Sequence, residues 1–263
     1  MKNYKKTKKI IKKRSSASSI KKYKGGNKKN VALIFHGRVN SYELSTEYLN
    51  SIFRNPKFNC KAFCSLNLEK TNDYIKEFCN IFEIGNEQLN IEATVLPQSY
   101  TDMNKELCDA GACYTSYSMF YHQNKAFDLL EQYKNKHNIN FDIVIVLRAD
   151  LNRSNNAPKI FLINDDIKTN TVYIPHNNDL DKPINLKINT SSNYYSDGIT
   201  TLSAYGDFDT MKKYCSLVKN LTSVTHAEIM LLNHIKNMNI NIERYTDELR
   251  VNPSRRNSKY AIK

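Results

Sequence analysis

Two short stretches of the chain combine residue types that can hold an anion. Arg148-Ala149-Asp150 follows five consecutive aliphatics, Ile143 to Leu147, and His36-Gly37-Arg38 follows the apolar run Val31 to Phe35. An arginine presents a planar fork of donors that matches phosphate or carboxylate oxygens two at a time. A glycine beside it lets the backbone approach a ligand closely. Alternate residues of an extended chain project from one side, so Arg148 and Asp150 are expected to share a face at the carboxyl end of their strand. The competing readings are an ion pair that merely ends the strand, and a turn carrying a solvated arginine at Gly37 and Arg38.

These stretches need rigid elements to aim them. Phe141 to Asp150 reads as a central strand, buried on both faces, because four of its five aliphatics are β-branched and no polar residue interrupts them. Val31 to Phe35 predicts a second such strand after a Gly-Gly-Asn linker. Between them the signals alternate. A helix is expected over 42–53, stopped before Pro56, then a strand over 57–66, a helix over 72–84 and a strand over 90–96 closed by Pro97. The longest helix is expected over 114–137, where Tyr117, Phe120, Tyr121, Phe127, Leu130 and Tyr133 recur at helical spacing.

Beyond the central strand, Thr171 to Pro175 predicts a short strand, and the polar stretch to Asn193 a loop. Leu202 to Gly206 predicts a further strand, with Asp207 capping the helix that follows. Asp197-Gly198 has the form of an ordinary turn. Thr225 and Glu228 form a capping box for a helix that buries Ile229, Leu232 and Ile235. The expected fold is therefore α/β: one mixed, mostly parallel sheet with helices on both faces, spanning residues 30–252. It lies between a disordered Lys-rich tail at 1–29 and a basic tail at 253–263.

The net charge of +13 belongs to the first of those tails. Residues 1 to 29 hold 12 Lys and one Arg with no acid, while the other 26 basic residues are balanced by 26 acidic ones. Such a segment can bind polyanions, an anionic membrane surface or an import receptor, although A/T-rich coding would also produce this excess of Lys and Asn. Its longest apolar run is the pair Ile10-Ile11, too short for a signal peptide, and no run in the chain is long enough to cross a bilayer. A soluble, cytoplasmic protein with reduced cysteines is expected. Cys60-x3-Cys64 and Cys108-x4-Cys113, with His122 downstream, are weak zinc signals, and Cys60 and Cys64 are expected to line one buried strand face instead. With seven glycines in all, the chain has no phosphate-binding P-loop, no dinucleotide fingerprint and no nucleophile elbow.

Gly37 and Arg38 after the first strand, Arg148-x-Asp150 after the central one, Asp197 with Ala204-Tyr205-Gly206, Met211 and Tyr214, and finally His226-x-Glu228 occur in an order that resembles GT-A-type nucleotide-sugar glycosyltransferases. The likeness is strongest to uncharacterised glycosyltransferase-like proteins of large DNA viruses, and it covers roughly residues 31 to 250. It implies a Rossmann-like fold, a nucleotide-sugar donor received by Gly37, Arg38, Arg148 and Asp150, and a glycan or protein hydroxyl as acceptor. It also implies Asp197 or Glu228 as the residue that takes the acceptor's proton, and Mn²⁺ or Mg²⁺ held by Asp150. The chain departs from the family's Asp-x-Asp motif by placing Arg148 at the first acidic position. A reading of a different class makes the chain a non-catalytic nucleic-acid or scaffold-binding protein that works through its basic tail.

Overall fold

The computed structural model describes residues 28–37, 51–67, 73–98, 112–149, 151–153, 163, 166–176, 201, 203–221, 227–246 and 249–251. Most of the two tails, most of the helix expected over 42–53, the loop expected before Asn193, and Thr225 lie outside these residues.

The first four strands are β1 (Lys29–Gly37), β2 (Phe58–Asn67), β3 (Leu89–Glu92) and β4 (Ile143–Arg148). They are followed by β5 (Leu151–Arg153), β6 (Thr171–His176), β7 (Ser203–Gly206), β8 (Asn241–Thr246) and β9 (Leu249–Val251). Seven strands form one sheet in the order β3-β2-β1-β4-β7-β6-β8, and β5 pairs with β9 in a separate two-stranded ribbon. Only β7 runs against the others, being antiparallel to both β4 and β6, while β6 and β8 are parallel. The sheet is thus mixed and mostly parallel, as the alternating strand and helix signals predict.

Pleating divides the core. Val31, Leu33 and Phe35 of β1 and Ile143, Ile145 and Leu147 of β4 face one side, where Phe78 and Phe82 cover them with Ile52. Phe78 belongs to α1 (Asp73–Ile81), and Ile52 to a helical turn at 51–53. Ala32, Ile34, Val144 and Val146 face the other side. That side is covered by α2 (Ala112–His137), α3 (Phe208–Cys215) and α4 (Ala227–Asn237). All five aliphatics of β4 are at most 2% exposed, which is what burial on both faces demands. α2 is 26 residues long and so spans about 39 Å, with Phe120, Phe127 and Leu130 buried against the sheet.

Local chemistry sets the element ends. Asp207 caps α3 by accepting from the Thr210 N–H at 2.9 Å. α1, α2 and α4 are followed by Glu83, Asn138 and Asn239 in the left-handed region. The next residues, Ile84, Ile139 and Ile240, donate back to the carbonyls of Cys79, Lys134 and Ile235, a Schellman closure in each case.

Some expectations are corrected. β3 stops at Glu92 instead of running to Leu96, because the Thr94 N–H leaves the ladder for the Asn67 side chain at 3.4 Å; Val95 is 79% exposed as a result. α4 buries Met230, Leu231, His234 and Ile235, not Ile229 and Leu232. β5, β8 and β9 have no counterpart among the expected elements.

Candidate functional site

β1 to β4, β6 and β8 all end at one edge of the sheet, and β7 begins there. From β1 the chain steps outward through β2 to β3, then α2 carries it back to β4 on the opposite side of β1. In open α/β sheets such a reversal marks the crevice, beyond the carboxyl ends of the two flanking strands, where ligands are taken.

Two predicted residues meet at that crevice. Gly37 ends β1 with φ +98°, a conformation that side-chain-bearing residues rarely adopt. Among the described residues no atom lies within 4 Å of where a Cβ on Gly37 would sit. Arg148 ends β4 half-buried, in register with His36 of β1. The Ala149 N–H then donates to the His36 carbonyl at 2.9 Å, which holds the start of the turn beyond β4 against β1. β4 ends at Arg148. Arg38, Asp150 and Asp197 lie outside the described residues. Glu228 is half-buried in the first turn of α4, on the sheet face that also carries α2 and α3.

Polar side chains that sequence reasoning did not assign to the site flank the crevice. Toward β2 and β3, His122 of α2 is fully buried and bonded through both ring nitrogens, Nδ1 to Ser65 Oγ and Nε2 to Thr94 Oγ1, each at 2.9 Å. Ser118 Oγ lies 2.8 Å from Thr94 Oγ1, and Asn67 Nδ2 donates to Ser118 Oγ at 3.3 Å and to Tyr114 OH at 3.2 Å. Asn90 Nδ2 donates to both Ser65 Oγ and Glu92 Oε1 at 3.0 Å. Burial depresses His122 to about 4, with Lys125 adding to the effect and the Glu92 charge opposing it, so the ring is neutral at pH 7. Burial works to raise Glu92, but hydrogen bonds from Asn90 and Tyr121 and the charge of Lys125 outweigh it and hold the carboxyl below its ordinary value.

On the other flank, Ser203 is in register with Leu147, one residue short of Arg148, and its Oγ lies 2.9 Å from Tyr245 OH on β8. Tyr205 stacks on Tyr173 with centroids 4.7 Å apart. These contacts join strands far apart in sequence. The available signal was a run of small and aromatic residues, Ser203-Ala204-Tyr205-Gly206, too short to say what would lie beside it.

Cys60, Cys64 and His122 are taken up by packing and hydrogen bonds, while Cys108 and the Cys113 side chain lie outside the described residues. Burial raises Cys60 to about 12 and Cys64 well above its ordinary value, so both are thiols packed in the sheet, and His122 has both nitrogens engaged by hydroxyls. Among the described residues no group of three or more His, Cys, Asp or Glu could hold a metal ion. The end of β4 presents a guanidinium, which cannot ligate a cation. Asp150, the carboxylate to which the resemblance assigns Mn²⁺ or Mg²⁺, lies outside the described residues.

The fold is a Rossmann-like α/β sheet whose strand order reverses between β1 and β4. No protein-family model matches the chain, and no curated protein matches it either. Among solved structures it is similar to the galactosyltransferase LgtC with donor and acceptor sugar analogs, at 11% identity and TM-score 0.39 over 81% of this chain and 72% of that one. It is similar to the bifunctional glycosyltransferase WbbM at 12% and 0.43, over 83% of this chain and 38% of that one. A nucleoside-diphosphate-sugar pyrophosphorylase from Vibrio cholerae gives 12% and 0.39, over 84% and 94%. At likenesses this remote, function follows from the chain's own residues. Among the described residues no helix is long and apolar enough to cross a membrane.

Proposed function

We propose that the chain is a cytoplasmic GT-A-type glycosyltransferase that moves a sugar from a nucleotide-diphosphate donor to a hydroxyl acceptor on a glycan or protein. The observation that carries the reading is the pairing of β1 with β4 at the sheet's switch point, where Gly37 and Arg148 end adjacent strands. A diphosphate requires close backbone approach and a cation beside it, and a glycine and an arginine ending adjacent strands supply both. The narrower likeness to virus-encoded transferase-like proteins rests on the same short motifs.

In the proposed reaction the bond between the sugar's anomeric carbon and the diphosphate oxygen breaks, and the acceptor oxygen bonds to that carbon. The acceptor's proton passes to Asp197 or Glu228. Negative charge grows on the departing nucleoside diphosphate, and the guanidiniums of Arg148 and Arg38 stabilise it there. Asp150 orients the donor beside Arg148. No step is assigned to a metal ion.

The test is release of nucleoside diphosphate from nucleotide sugars by the purified full chain. Arg148→Ala is expected to lower turnover by about 10² to 10³, the usual effect of removing one donor from a developing anion. Asp150→Asn is expected to lose most activity as well; full activity in that variant contradicts the assignment of Asp150.

A further inference from the structure

The ribbon of β5 and β9 lies at the crevice and joins it to the far end of the chain. β5 begins three residues after Arg148 reaches the edge. Its partner β9 comes from nearly a hundred residues later, with Leu151 opposite Val251, Asn152 opposite Arg250 and Arg153 opposite Leu249. β9 follows β8, the outermost strand of the sheet on that side. β8 lies three strand spacings from β4, about 14 Å, and it ends at the same edge. Residues 247 and 248 alone connect β8 to β9. The ribbon must therefore run back across the edge, past the ends of β6 and β7, to reach the segment after β4.

We propose that β9 is a positioning strand, which clamps the chain just beyond Arg148 so that the guanidinium is held against β1 for the donor diphosphate. The proposal rests on the functional reading above. Two anchors bracket the turn. On one side the Ala149 N–H is bonded to the His36 carbonyl of β1, and Ala149 is buried. On the other, Leu151 is paired with Val251. One residue, Asp150, separates them. A turn fixed at both ends loses little conformational freedom when a ligand binds, whereas a turn fixed at one end must be ordered at that moment. The pairing is also the natural point of failure, since a three-residue ladder opens far more readily than the central strands.

The experiment compares the full chain with two truncations. One ends at Asn252, keeping β9 and removing the basic residues beyond it, and one ends at Glu248, removing β9 itself. Amide exchange of 149–153 and affinity for a panel of nucleotide-diphosphate sugars are measured for each. The chain ending at Asn252 is expected to match the full chain in both. The chain ending at Glu248 is expected to exchange those amides faster and to bind donor roughly ten- to a hundredfold more weakly, the scale of effect that small misplacements produce. Should the shorter chain not fold, Arg250→Pro and Val251→Pro replace it. Inward-facing N–H groups alternate along an antiparallel ladder, so one of the two prolines must remove a bond to β5. Arg250→Ala, which keeps the backbone donor, is expected to leave both readouts unchanged.

Unchanged exchange without β9 overturns the clamp. Faster exchange with unchanged donor affinity overturns its role in binding, and equal loss in both truncations transfers the effect to the basic residues beyond β9. If the full chain binds no nucleotide-diphosphate sugar, the proposed function fails, and the exchange measurement alone then decides whether β9 fixes the turn.

Discussion

Acidification should weaken this protein in a defined window, through His122. The ring is fully buried between α2 and the ends of β2 and β3, and its folded value is about 4 against an ordinary 6.5. Below pH 6.5 the unfolded chain takes up a proton that the folded chain refuses until pH 4, so stability falls as pH drops through that interval. A difference of about 2.5 units at about 1.4 kcal/mol each sets a ceiling near 3.4 kcal/mol. With both states partly titrated, the loss relative to pH 7 is about 2 kcal/mol at pH 5 and about 3 kcal/mol at pH 4. The groups facing the ring are the hydroxyls of Ser65 and Thr94, with the charges of Glu92 and Lys125 nearby. Urea unfolding between pH 7 and 4 reads the loss, and His122→Gln, which cannot titrate, isolates the histidine's share. His234, also depressed by burial, contributes a parallel slope that remains in the variant. An NMR titration of His122 with a midpoint near 6.5, or an identical pH slope in His122→Gln, refutes the reasoning.

Gly37→Ala places a side chain in a backbone conformation it disfavours, so thermal unfolding should show a loss of about 1–3 kcal/mol, and donor affinity should fall as the end of β1 shifts. Gly206→Ala puts a Cβ 2.9 Å from the Thr171 carbonyl oxygen, and because that oxygen belongs to a sheet backbone, a destabilisation of about 1–3 kcal/mol is expected in denaturant titrations. Glu83→Gly works in the other direction: Glu83 closes α1 at φ 53°, and relieving that strain should raise stability by up to about 1 kcal/mol in the same assay.

The elements with strong local signals were legible from residue order alone. β1 and β4 announce themselves as uninterrupted aliphatic runs, α2 by its aromatic spacing, and α3 by Asp207 at its start. Gly37 and Arg148 could be placed at strand ends, but not side by side, because which strands become neighbours depends on crossovers and not on local pattern. β8 was not legible because Asn241-Ile242-Glu243-Arg244-Tyr245-Thr246 is an edge strand, and none of its described side chains is buried. β5 and β9 are three residues each, and neither has meaning until the other is beside it. His122 was visible only as a weak zinc signal. Its hydroxyl partners come from β2 and from the segment after β3, and that pairing appears only in three dimensions. The expected length of β3 failed for a related reason, since Asn67 captures the backbone N–H that would have extended the ladder.

The most direct measurement is calorimetric titration of the full chain with nucleotide-diphosphate sugars, beside Arg148→Ala with its fold checked by circular dichroism. Saturable binding of at least one donor, lost or strongly weakened in Arg148→Ala, is the predicted result. Absence of binding with every donor, or equal binding by the variant, contradicts a diphosphate site at the ends of β1 and β4.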